Sequence, residues 1–72
     1  MKLIKELALA NTQNGKISIG ILEEPYGADS SSVASIAISL NADSKEPDWK
    51  VHLPKENIDE VIAALTEAKK AL

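Results

Sequence analysis

No cysteine and no arginine occur in the 72 residues of this chain, and Tyr26 and Trp49 are its only aromatic side chains. Without cysteine there are no disulfides and no thiolate metal sites. A single histidine, His52, does not build a zinc site without several carboxylates beside it. All eight basic residues are lysines, so the chain lacks the planar fork that grips phosphate or guanine through two bonds. No apolar run approaches the about 18 residues of a membrane span. The N-terminal MKLIKELALANTQ has the outline of a signal peptide, but Glu6 interrupts its apolar stretch, and cleavage after Ala10 would remove the partner of the next strand. A mature, cytoplasmic chain with no membrane contact is therefore expected.

What remains is aliphatic and acidic. The chain is 44% hydrophobic and 26% charged, with 11 acidic residues giving a net charge of −3. Such a charge supplies no overall field for nucleic acid and leaves only local lysine patches. The length predicts a single domain over residues 1–72. A chain this small buries only about 60% of its unfolded surface. With disulfides and metals excluded, association with a second copy is the stabilising device left, and a homodimer is expected.

The clearest element is the last. Ile58, Val61, Ile62, Leu65, Ala68 and Leu72 recur at helical spacing after Pro54. Glu56, Asp59 and Glu60 lie early, and Lys69 and Lys70 lie late, as the helix dipole prefers. A helix over Lys55 to Ala71 is expected, with Leu65 central on its apolar stripe. Three alternating segments read as strands: KISIGILEE, SVASIAISL and WKVHL. Residues 2–10 fit either a helical face through Leu3, Ile4, Leu7 and Ala8 or a strand. Asn14-Gly15, a hairpin signal, favours a strand over residues 2–12. The fold class is thus α+β: a four-stranded antiparallel sheet followed by one C-terminal helix, β-β-β-β-α. A two-residue turn at Asn14-Gly15 would set Ile17, Ile19 and Ile21 opposite Thr12, Ala10 and Ala8. Leu3, Leu7, Leu9 and Leu22 would then form a second apolar face. One helix covers one face, so the other would need a partner or ligand.

The strand KVHL followed by the helix start PKENIDEVIAAL resembles the positive cofactor four family of transcriptional coactivators and its bacterial and phage relatives. The likeness covers about a third of the chain and otherwise extends only to element order. It implies a homodimer with a curved sheet and one C-terminal helix, binding single-stranded DNA or RNA on the sheet. Lys2, Lys5, Lys16, Lys50, His52 and Trp49 are the residues this sequence offers for that role. The family also presents arginines and more strand aromatics, which are missing here, so weak binding is implied. The other expectation is a module that binds another protein and no nucleic acid.

Each candidate has a plainer alternative. Lys50 and His52 share a strand face and, with Ser18 and Ser39, make either a small anion patch or an ordinary solvated face. Trp49 is either a base-stacking residue or, by its alternation with Val51 and Leu53, an apolar anchor. PYGADSSS is a phosphate-wrapping loop or, lacking the lysine and helix start of one, a flexible connection. Glu23, Glu24, Asp29, Asp43, Glu46 and Asp48 match no calcium loop and read as solubilising charges. No nucleophile has a base and an orienting group placed beside it, so no catalysis and no cofactor are expected.

Overall fold

The computed structural model describes residues 2–41, 43 and 45–72. Four strands, β1 (Lys2–Ala8), β2 (Lys16–Leu22), β3 (Val33–Ser39) and β4 (Trp49–Pro54), precede one helix, α1 (Lys55–Ala71). The strands form one antiparallel sheet in chain order, β1-β2-β3-β4. β2 and β3 are rich in β-branched residues, which pack well on a pleated surface. Pro54 ends β4 and caps α1 with φ −62° and ψ 150°. Its missing N–H leaves no donor unsatisfied there. Glu56 in the first turn and Lys69 and Lys70 in the last complement the dipole. No helix among the described residues is long and apolar enough to cross a membrane.

The first hairpin departs from the two-residue turn that Asn14-Gly15 suggests. Ala8 pairs with Lys16, Leu7 with Ile17, Lys5 with Ile19 and Lys2 with Ile21, with a bulge between Leu3 and Lys5. β1 therefore stops at Ala8, short of residue 12. Residues 9–15 form a loop closed by the Leu9 N–H donating to the Gly15 carbonyl at 3.0 Å. Thr12 braces it: its hydroxyl donates to the Leu9 carbonyl (2.6 Å) and accepts from the Gly15 N–H (3.0 Å). The favoured two-residue turn needs positive φ at both central residues. In this loop the left-handed residue is Asn11, at φ 64°. Asn14 instead bridges to Asn41.

Gly15 serves close approach rather than turning. A Cβ there would lie 2.5 Å from Thr12 Oγ1 and 2.9 Å from the Ser39 carbonyl oxygen. Gly15→Ala is expected to destabilise the fold by about 1–3 kcal/mol through overpacking. Urea denaturation checks this, and an unchanged midpoint would show that the loop yields freely.

The observed register sorts the side chains. Paired residues share a face, so Leu7, Ile17, Ile19, Ile21, Ala34, Ile36, Ile38, Trp49, Val51 and Leu53 lie together, with Lys2 and Lys5 at the β1 edge. The second apolar face expected from the short turn is not formed. Leu7 joins the isoleucines and Leu9 leaves the strand, so Leu3 and Leu22 are what remain opposite.

The helix lies on the apolar side but leans off the sheet. Ile58, Val61, Ile62 and Leu65 face Ile19, Ala34, Ile36 and Leu53 across an apolar groove of about 310 Å³. Ile58 and Val61 are half-buried, while Leu65, expected central on the apolar stripe, is 62% exposed. Among the described residues no apolar side chain is fully buried. The fold class expected from sequence is present, without a closed core in the single chain.

Candidate functional site

The face opposite the helix is built from short polar side chains with basic groups beside them. Four cross-strand rows compose it. Glu6, Ser18, Ala37 and Lys50 form one, Leu3, Gly20, Ser35 and His52 the second, Ala8, Lys16 and Ser39 the third, and the apolar Leu22, Val33 and Pro54 the fourth, at the end next to the helix start. Ser18, Ser35 and Ser39 are buried, as is Gly20. The middle of the face is thus closed to solvent, with the longer side chains of Lys16, Lys50 and His52 around it. Alternation along β4 already places Lys50 and His52 together. The register adds Lys16 and confirms Ser18 and Ser39 on the same side.

Lys16 Nζ lies 3.7 Å from Glu6 Oε2, both partly exposed. An exposed pair like this contributes about 0–1 kcal/mol. It is weak enough for Lys16 to exchange Glu6 for an incoming anion.

Among the described residues, two polar atoms on this face are buried without partners: Ser35 Oγ and His52 Nε2, on residues paired across β3 and β4. An unsatisfied buried hydroxyl costs roughly 1–3 kcal/mol. Ser35→Ala is therefore expected to leave the protein as stable as before or to raise its melting temperature. A clear loss of stability would reveal a hydrogen-bond partner for the Ser35 hydroxyl.

The structure divides the six residues singled out from sequence. Lys16, Lys50 and His52 occupy the small-residue face. Lys2, Lys5 and Trp49 lie on the helix side, and Trp49 is 58% exposed there. Trp49 therefore sits at the edge of the apolar face, as its alternation suggests, yet is uncovered in the single chain.

Tyr26 was not among those six. It lies in the loop 23–32, its ring centroid 6.5 Å from that of His52 at an interplanar angle of 62°, an edge-to-face pairing. This loop is exposed, as expected, but it is internally bonded rather than a slack connection. The Gly27 N–H donates to the Glu24 carbonyl (3.2 Å) and the Ser30 N–H to the Gly27 carbonyl (3.0 Å). The Ser30 hydroxyl accepts from the Tyr26 N–H (3.1 Å) and donates to the Gly27 carbonyl (2.8 Å). These N–H groups are engaged within the loop and so are not a cradle for phosphate. The sequence signal for Tyr26 was faint: one aromatic residue before a glycine in a polar stretch.

Charge is unevenly distributed. The four strands carry four lysines and one glutamate, a net +3, whereas the rest of the chain carries four lysines and ten carboxylates, a net −6. Asp48 has a structural task, accepting from the Leu40 N–H at 2.7 Å. Among the described residues no three His, Asp or Glu side chains converge to hold a metal ion. No family model, no curated protein and no solved structure matches the chain.

Proposed function

We propose that the chain is a non-catalytic, homodimeric protein of the cytoplasm that holds single-stranded DNA or RNA on the sheet face opposite its helix, as an accessory factor in transcription or replication. The observation that carries this reading is the sorting of charge. The strands of this acidic chain carry a net +3, of which the face opposite the helix holds Lys16 and Lys50 against Glu6 (two minus one, +1) around serine, alanine and glycine. A nucleic-acid strand would lie across the rim of this face, where Lys16 and Lys50 neutralise its phosphates. The resemblance of KVHL and PKENIDEVIAAL to the positive cofactor four family points the same way.

Surface area supports the homodimer. The single chain exposes 5815 Å². A monomeric protein of 7.7 kDa exposes about 4,300 Å². The excess, about 1,500 Å² per copy, exceeds the roughly 800 Å² per partner of a standard interface and suits a permanent homodimer. The apolar groove beside α1 is the surface proposed to meet the second copy.

The test is fluorescence anisotropy with a labelled oligothymidine at about 20 mM salt, where lysines act over the longest range. Saturable binding supports the proposal. A second reading, a module that binds a different protein, is favoured by the net charge of −3 and the wholly apolar groove. Absence of oligonucleotide binding at that salt leaves it as the better account.

A further inference from the structure

We infer that Tyr26 is the residue on which a base of the bound strand stacks, and that Trp49 has no part in it. The inference rests on the nucleic-acid reading above and extends it to a specific subsite. Single-strand binders combine cationic contacts to the backbone with aromatic platforms for the bases. Trp49 is on the wrong side of the sheet, sharing the helix face with Val51 and Leu53 while Lys16 and Lys50 lie opposite.

Tyr26 meets the requirements that Trp49 misses. It is 77% exposed, so most of its ring is open to a ligand. It is nevertheless held in place: its N–H is bound to Ser30 and its ring pairs edge-to-face with His52. A stacking side chain already positioned loses less freedom on binding. His52 lies on the lysine face, two residues from Lys50, or about 7 Å along the strand. A short stretch of nucleic acid therefore reaches both Lys50 and Tyr26. Beside His52 in the same row are Ser35 and Gly20, both buried, so a base meets this site at the exposed Tyr26 ring rather than on the sheet itself.

The loop's own chemistry selects the base over the backbone. Residues 23–32 contain Glu23, Glu24 and Asp29 and no lysine. These carboxylates repel phosphate, and the loop's bonded N–H groups have nothing to offer it. An uncharged aromatic base is the part of a strand that this loop accepts. Every base has a π-face, so sequence preference at this subsite should be slight.

The test compares two labelled probes of about twelve nucleotides, a length within the reach of such folds. One is oligothymidine, and the other is an abasic strand with the same phosphates. Wild-type protein should bind oligothymidine about 5- to 150-fold more tightly than the abasic strand. Tyr26→Ala should lose that preference and leave abasic binding unchanged, whereas Tyr26→Phe should retain it. Equal wild-type affinity for the two probes overturns the stacking inference and leaves nucleic-acid binding standing. So does a Tyr26→Ala variant that keeps the preference, or one that weakens both probes equally. Failure of wild-type protein to bind either probe overturns both readings together.

Discussion

Leu65→Ala will lower the unfolding free energy by about 2–5 kcal/mol, the usual cost of emptying a buried leucine site. In the single chain this result would be unreasonable. Leu65 is 62% exposed there, and surface changes of this kind usually fall within about 0.5 kcal/mol. Alanine is also the better helix former. The large loss follows from placing a second copy over the groove that Leu65 borders with Ile36, Leu53 and Ile62. In the proposed homodimer the thermal midpoint should also rise with protein concentration, because dissociation and unfolding are linked. Denaturation of wild type and variant at two concentrations reads both effects. A neutral substitution with a concentration-independent midpoint would mean that the chain is a monomer with an open groove.

Leu65 lies on the apolar side of α1, as its spacing predicts, yet it is 62% exposed. Helical periodicity reports which side of α1 is apolar, and Pro54 with the terminal charges marks its ends, so Lys55–Ala71 was legible in full. Periodicity says nothing of how close the helix lies to the sheet. That depends on tertiary packing, and here α1 leans away.

The strands show the same division. Alternation located β2, β3 and β4 to within about two residues, because a half-buried strand writes its period directly into the sequence. The first hairpin was misread because Asn14-Gly15 mimics a tight turn. The glycine instead makes room for Thr12 and Ser39, and the left-handed residue is Asn11. A change of register moves every side chain of β1 relative to β2. This is why the expected second apolar face vanished. For the candidate site, Lys50 and His52 share a face by strand parity alone. Lys16, Lys2 and Lys5 are assigned to faces by pairing, which sequence pattern did not reach. Tyr26 comes to His52 through a loop conformation set by Ser30 and Gly27, for which the chain has no periodic signal.

Reversing the charge of Lys16 and Lys50 together to glutamate will abolish oligothymidine binding, whereas the same change at Lys2 and Lys5 will leave it nearly intact. By lysine content alone the four are equivalent. The register separates them, with Lys16 and Lys50 on the small-residue face and Lys2 and Lys5 on the other. The salt dependence carries the same distinction. Each neutralised phosphate of a single strand contributes about 0.7 to the slope of log affinity against log salt. Four engaged lysines would give a slope near 3 in magnitude, and the two on the proposed face give about 1.4. Raising salt from about 20 to 150 mM should then weaken binding roughly 15- to 20-fold per site. Lys50→Gln alone should lower the slope by about 0.7 and leave the fold intact, since Lys50 is exposed and has no ion pair within 4 Å among the described residues. Lys16→Gln should act alike, giving up only the weak contact with Glu6. A slope near 3, or a Lys2→Glu/Lys5→Glu variant as impaired as Lys16→Glu/Lys50→Glu, would place the strand on both faces or on the β1 edge and sink the assignment to this one.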